Sequence, residues 1–296
     1  MRLTVICRSA RESDTADVME IARHIWGGED YVPHVWKDWL ADRKGVLAVA
    51  EHQGRVIGLG KLTQLTPDDW WMEGLRVHPE YEGRGVASRL HDYMLDCWEK
   101  TGCCAIRLAT SSKNESVHHL CERTGFEKVG EITYFKASVL PDGKNIFRLI
   151  SINEIPTVIE MIANNPHRDL THVLIDLGWQ WTSPHITLIE EAVNEKTAYW
   201  WLSQDSEVKG LLLFWLDDWE NTEARSSPVP MIKLLICRPD EMANCLLDFR
   251  RLAAVMGYDQ VGWMAPFHTD LVNALGDAGF QTDWEGSLYI FAKAKE

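Results

Sequence analysis

The sequence predicts an α/β protein built from two related halves. Residues 1–138 alternate short apolar, β-branched runs with amphipathic segments in the order β, α, α, β, β, β, α, β, α, β. Residues 146–296 repeat that order in degraded form. Within the first half, residues 70–100 read as a strand, a glycine turn and a helix, whose apolar positions Val86, Leu90, Tyr93, Met94, Cys97 and Trp98 fall on one face.

In chain order, residues 4–7 form a β-branched run, and residues 16–25 a helical pattern that Ser13 or Asp14 can cap and Gly27-Gly28 ends. Pro33 suits the first position of a second helix. Residues 46–51 and 55–63 are strands joined by the tight turn Gln53-Gly54. A loop over residues 66–69 leads into the strand at 70–78. After the glycine turn and its helix comes a strand at 105–109. Asn114 then caps a helix over Val117, Leu120 and Cys121 that stops at Gly125, and residues 126–138 supply strand.

A short linker around residues 141–144 opens the second half. Residues 147–150 and 155–163 read as strand then helix, and residues 196–202 and 209–216 as a strand pair. The run 232–237 followed by Arg238-Pro239 parallels the run from Leu75 to Pro79. A helix over 242–255, a strand over 260–264, a helix over 270–278 ending in Gly279-Phe280 and a strand over 287–292 complete it. Its helix start differs from the first: Asp240-Glu241-Met242-Ala243 has no glycine, and the two carboxylates are expected to cap the helix themselves.

Composition narrows the function. The 296 residues are 46% hydrophobic, enough for two cores, yet no apolar run approaches the roughly 20 residues that span a bilayer. The N-terminal apolar run is short and followed at once by charge, unlike a signal peptide. Seven scattered cysteines, with only Cys103-Cys104 adjacent and no C-x-x-C, suggest neither a disulfide framework nor a zinc site, and a reducing, cytoplasmic home. His118-His119 has no partner at metal-ligand spacing, so no metal is expected. The net charge is −14, and residues 146–296 hold 11 Lys and Arg against 22 Asp and Glu. That balance argues against nucleic acid or an anionic membrane as partner. It suits cationic amines, and it also serves plain solubility.

The strand–glycine–helix unit is an anion slot. The first amides of the helix lack intrahelical partners, the helix dipole favours negative charge there, and Gly83 and Gly85 admit a ligand close to the backbone. The loop is not of the ATP type, which needs Lys-Ser or Lys-Thr after the glycine, nor of the dinucleotide type, which needs a third glycine. Read as Glu82-x-x-Gly85-x-Ala87, it resembles the acetyl-coenzyme A loop of the GCN5-related N-acetyltransferases (GNATs), with Glu82 where Gln or Arg is usual. Asn114-x-x-Val117-x-x-Leu120-Cys121-Glu122-Arg123-x-Gly125-Phe126 is similar to that family's second motif. Gly-Gly-x-Asp-Tyr-x-Pro at 27–33, Trp39-Leu40 and Glu73-Gly74-Leu75-Arg76-Val77 resemble the subfamily that includes vertebrate histidine N-acetyltransferase, whose members carry a second domain.

The resemblance implies tandem GNAT-like domains, each a mixed, mostly antiparallel sheet flanked by helices. Residues 1–140 would be catalytic, and residues 146–296 a degenerate copy without a coenzyme site that walls the acceptor pocket or builds a homodimer interface. The implied activity is transfer of acetyl from acetyl-CoA to a small-molecule amine, with a free amino acid as the expected acceptor, by direct attack in a ternary complex. The alternatives are a protein N-terminal or lysine acetyltransferase, and an acyl-CoA-binding sensor without turnover.

The resemblance also implies site residues. Leu75 and Val77 would pair with the pantetheine arm. Glu82, Gly83, Arg84, Gly85, Val86, Ala87 and Ser88 would form the pyrophosphate loop, and Asn114 would reach the arm from the other side. Glu73 is the expected general base; by period two it shares a face with Leu75 and Val77. Cys121 stands where the family has a Tyr that protonates the departing thiolate, and is read either as a thiol acid or as a small buried hydrophobe. Tyr134 is the substitute donor. Asp30, Tyr31 and Trp36 lie in the segment expected to wall the acceptor pocket, Asp30 pairing with the substrate ammonium. Gly178-Trp179-Gln180-Trp181 is read as a lid, a wall or core.

Overall fold

The computed structural model describes residues 3–101, 104–167, 173–217 and 228–295; Cys103 lies outside them. The chain forms two compact units. The first takes residues 1–109, 114–127 and 291–296, the second residues 110–113 and 128–290.

The first unit begins with β1 (Ile6–Ser9), α1 (Thr15–Ala22) and α2 (Val32–Ala41). A meander of β2 (Val46–His52), β3 (Arg55–Gln64) and β4 (Asp69–Val77) follows, then α3 (Val86–Thr101), β5 (Ala105–Ser111) and α4 (Glu115–Arg123). Strands β1 to β4 are antiparallel neighbours, and β4 pairs with β5 in parallel. Strand β3 is buried over residues 56–62 because helices cover both of its faces. On one face Val18, Ile21, Val32, Trp36 and Trp39 of α1 and α2 pack on Val49, Val56 and Leu59. On the other, α3 lies so close that a Cβ on Gly58 would stand 3.1 Å from Leu90, and one on Gly60 2.7 Å from Met94. The two glycines of β3 thus set the approach of α3 to the sheet.

The second unit holds β6 (Glu127–Ser138, from Lys128 onward), β7 (Phe147–Leu149), α5 (Ile155–Ala163) and the two-residue strands β8 (Ile175–Asp176) and β9 (Trp181–Thr182). Then come α6 (Ile186–Asn194), β10 (Ala198–Leu202), β11 (Val208–Asp217), β12 (Val229–Cys237), α7 (Met242–Val255), β13 (Gln260–Pro266) and α8 (Thr269–Asp277). Its topology repeats the first: β10, β11 and β12 form an antiparallel meander, and β12 pairs in parallel with β13 after the intervening helix. One core joins α7 and α8 to the sheet through Leu246, Phe249, Leu275 and Trp263; the other joins α5 and α6 through Val158, Ile189, Trp200 and Leu213. Helix α6 and the β8–β9 hairpin carry no strong start signal and were not anticipated from the sequence.

The units do not divide at a single point. Strand β6, which follows α4, pairs antiparallel with β13 in the second unit. The final strand β14 (Leu288–Ala294) lies next to β5, and its residues from Phe291 onward belong to the first unit. There the Lys295 N–H donates to the Cys104 carbonyl at 2.9 Å.

The two acids at the start of α7 do not cap it. No side-chain cap bond is made, because Glu241 pairs with Lys209 and Asp240 with Arg238. In the β8–β9 hairpin Trp181 is core at 2% exposure, while Trp179 is exposed and lies 5.3 Å from Trp284. Among the described residues no helix is long and apolar enough to cross a membrane, and the six cysteines are free.

Candidate active site

The site is built on β4. Residue pairing with β3 runs Leu62↔Met72, Lys61↔Glu73, then Leu59↔Arg76 and Gly58↔Val77. Gly74 and Leu75 together oppose Gly60, so the strand carries a bulge. Gly74 has φ +64°, and a Cβ there would stand 2.5 Å from the Trp39 ring, so the bulge demands glycine twice over. Strand β4 also leaves its other neighbour: its parallel pairs with β5 are Asp69↔Ala105, Trp70↔Ile106 and Trp71↔Arg107, and from Met72 onward the two strands are no longer paired. The buried Arg107–Asp69 ion pair ties the closed end of this splay.

Beyond β4 the chain turns through Pro79–Tyr81 and enters α3 by the glycine loop. Gly83 and Gly85 have φ +67° and +79° with nothing within 4 Å of where a Cβ would be. The open space on both glycines is what close approach of a ligand to the backbone requires. Glu82, Arg84 and Gly85 are exposed, Val86 is buried, and Ala87 and Ser88 are half-buried. The α3 ladder starts with Arg89 N–H donating to the Gly85 carbonyl at 3.2 Å, so the amides of Val86, Ala87 and Ser88 precede the first intrahelical bond. The Arg84 guanidinium lies 5.7 Å from the Tyr81 ring. Splayed strand, exposed glycines and helix start fit a long, phosphate-bearing thioester carrier. Among the described residues no group of three His, Cys, Asp or Glu could hold a metal.

Glu73 stands at the bulge, half-buried, and its Oε1 accepts a 2.6 Å hydrogen bond from the Thr63 hydroxyl. It does not share a face with Val77. The bulge resets the alternation, so Glu73 and Arg76 lie on the face of their cross-strand partners Lys61 and Leu59, toward α1 and α2. Val77 pairs with Gly58 on the opposite face, where Leu75 also reaches the α3 side of Gly60. Period two would hold only for a strand without the extra residue.

The acceptor segment is arranged differently from the expectation. Asp30 is 3% exposed, and both of its oxygens accept from Arg76, Nε to Oδ2 and Nη2 to Oδ1, each at 3.1 Å. It is committed to that pair and does not offer its carboxylate to an ammonium. Trp36 is core at 2% exposure, its indole N–H donating to the Thr15 hydroxyl at 3.0 Å. Tyr31 sits at the bulge, 36% exposed, with its hydroxyl beside the Gly74 amide; burial first, then the charge of Glu73, pushes its pKa up to about 12. Trp26, missed in the sequence, is 66% exposed, stacks on Tyr31 at 6.4 Å and covers the Arg76 guanidinium at 4.6 Å. Its φ of +48° is rare for a bulky residue and carries no sequence signal beyond the Gly27-Gly28 that follow it.

Asn114 caps α4, its Oδ1 accepting from the Val117 N–H at 3.3 Å. Cys121 is fully buried, and burial, followed by the Glu122 charge, pushes its thiol up to about 12. A thiol so weak cannot protonate a thiolate that is itself the weaker base, so Cys121 is a packing residue. Tyr134 belongs to the second unit, with 1% exposure and its ring 6.2 Å from that of Trp284.

These features define an α/β domain whose splayed strand leads into an exposed, glycine-led helix start. Residues 15–126 match the model of the "Acetyltransferase (GNAT) family". The chain is similar to histidine N-acetyltransferase of Oreochromis niloticus, 35% identical over 82 residues, which are 27% of this chain and 24% of that protein. It is also similar to the L-2,4-diaminobutyric acid acetyltransferase of Nocardia farcinica, 26% identical over 144 residues, covering 47% of this chain and 75% of that one. The alignment thus spans about a quarter of the first relative's length. Among solved structures, a GCN5-related N-acetyltransferase from Sphaerobacter thermophilus shares the fold over 98% of this chain and 95% of that one, with TM-score 0.64 and 11% identity.

Proposed function

We propose that this chain is an acetyl-CoA-dependent N-acetyltransferase acting on a small-molecule amine. The observation that carries the reading is the position of Glu73, a half-buried carboxylate at the bulge where β4 parts from β5, on the strand that leads into the glycine loop of α3. The names of the histidine and diaminobutyrate acetyltransferase relatives support an amino-acid-sized acceptor. The backbone of residues 72–77 and the amides at the start of α3 would hold acetyl-CoA, which when bound supplies an activated thioester.

Glu73 takes the proton from the acceptor ammonium, directly or through one water, and frees the lone pair for attack on the carbonyl carbon. The C–N bond forms as the C–S bond breaks, with no acetyl-enzyme. A backbone amide near Val77 would stabilise the carbonyl oxygen as it gains charge. The second unit binds no coenzyme: its corresponding strand opening, between β12 and β13, is lined by Trp181, Trp263 and the buried Lys233–Asp176 ion pair, and α7 starts with paired acids instead of glycines.

Thiol release from acetyl-CoA, measured with a panel of amino acids, polyamines and an N-terminal peptide, tests this. Glu73→Gln should lower kcat by about 10²- to 10⁴-fold with little change in acetyl-CoA affinity. Faster turnover of the peptide than of any small amine would favour a protein acetyltransferase. Tight acetyl-CoA binding with no release for any amine would leave the sensor reading.

A further inference from the structure

Arg76 is held in place from every side. Three of its five N–H donors are used, two on Asp30 and one from Nη1 to the Leu75 carbonyl at 3.2 Å. Its guanidinium is covered by Trp26 at 4.6 Å and by Tyr31 at 5.3 Å. One donor on Nη1 and one on Nη2 remain. A guanidinium so fixed loses little entropy when it takes a further planar anion. The aromatic that covers it is costly to place: Trp26 is mostly exposed, and its left-handed backbone is strained, a strain that clusters at ligand clamps.

The bulge sets this cation beside the proposed base. Glu73 and Arg76 are three residues apart, yet they lie on one face because their partners Lys61 and Leu59 are two apart. Tyr31 bridges them, since the charges of Glu73, Arg76 and Asp30 all act on its phenol. A simple amine would find one partner here, Glu73. A molecule with an ammonium and a carboxylate on the same carbon would find two.

We infer that Arg76 is a substrate-binding residue that reads the α-carboxylate of the acceptor, which makes the acceptor class a free α-amino acid whose side chain rests on the Trp26–Tyr31 shelf. This rests on the transferase reading above and goes beyond it by naming the group recognised. Asp30 neutralises part of the arginine's charge, so recognition is by directed hydrogen bonds more than by net charge.

The test compares an amino acid, its carboxamide and its decarboxylated amine, such as histidine, histidinamide and histamine, and 2,4-diaminobutyrate with its amide. The wild type should prefer the acid by at least about tenfold in kcat/KM, mostly through KM, because a site built around a hydrogen-bonding group rejects analogues that lack it. Arg76→Gln should erase that preference, bringing kcat/KM for the acid down to that of the decarboxylated amine, mostly through KM. Because Arg76→Gln strands a buried carboxylate, the double variant D30N/R76Q, with neutral partners and a measured Tm, separates lost recognition from lost folding. Equal kcat/KM for acid, amide and amine in the wild type overturns the carboxylate assignment and leaves the transferase standing. A double variant that folds and keeps the preference also overturns it. Absence of thiol release with every amine overturns the transferase reading, and this one with it.

Discussion

Asp30 and Arg76 form a bidentate pair across the acceptor side of the first unit, at 3.1 Å on both arms, with the Asp30 side chain wholly buried and that of Arg76 13% exposed. The pair fixes the loop that carries Trp26 and Tyr31 to the bulge of β4. Removing one partner leaves a buried charge alone, which costs about 3–5 kcal/mol. Asp30→Ala should therefore lower stability by about that much in urea unfolding, whereas D30N/R76Q should recover most of it. A single Asp30→Ala variant as stable as the wild type would show the pair to be a solvent-screened contact.

Gly74 and Gly85 both have positive φ, yet they should fail differently. At Gly85 there is open space, so Gly85→Ala bears only the left-handed backbone cost of about 1–2 kcal/mol. Its expected effect is a raised KM for acetyl-CoA with a small loss of Tm. At Gly74 an added Cβ also meets the Trp39 ring at 2.5 Å, so Gly74→Ala must distort the bulge or displace α2. Loss of soluble protein, or a fall in stability of more than about 3 kcal/mol, is expected. The two variants behaving alike would mean that the bulge tolerates rearrangement.

The exchange of terminal strands makes the halves interdependent. A fragment of residues 1–140 keeps β6 but lacks β14, which neighbours β5 and belongs to the first unit from Phe291 onward. The exposed edge of β5 should drive aggregation. Expression of that fragment alone should give insoluble protein. A soluble fragment with a cooperative thermal transition would contradict this.

Helix and strand types were legible wherever the chain alternates cleanly. The α3 start, the cap at Asn114 and the β2–β3 hairpin follow from local signals that tertiary structure does not override. The site was legible in part. Glu73 and the glycine loop sit on local motifs, but the bulge at Gly74 depends on Trp39, which arrives from α2, so strict alternation put Glu73 on the wrong face. Asp30 and Trp36 were placed by sequence neighbourhood, which does not reveal that Arg76 and Thr15 already satisfy them. Strand exchange is invisible to local pattern, because a strand's alternation does not say which strand it pairs with.

Thr63 should tune the base. Its hydroxyl donates to Glu73 at 2.6 Å and so favours the charged carboxylate. Thr63→Val removes that hydrogen bond and loosens the orientation of the carboxylate. Its kcat should fall by up to about tenfold with KM little changed. An unchanged kcat would mean that Thr63 does not position Glu73.

His91 makes the first unit acid-labile. It is fully buried on α3, and its Nε2 lies 3.0 Å from the Thr124 hydroxyl. That hydroxyl donates to the Leu120 carbonyl at 2.8 Å, so the imidazole donates from Nε2, and its buried Nδ1 has no hydrogen-bond partner. Burial, aided by the Arg123 and Lys293 charges and opposed by Asp92, holds the pKa down at about 4. The unfolded chain then binds a proton that the folded chain refuses. The neutral imidazole's contribution is complete above the ordinary histidine value of about 6.5 and is lost as pH falls through that value toward 4, up to about 3 kcal/mol. His91→Gln keeps a donor for Thr124 and cannot titrate. Urea unfolding at neutral pH and at two acidic points should show wild-type stability falling more steeply than that of the variant. Parallel pH dependences would mean that His91 opens to water and protonates without unfolding.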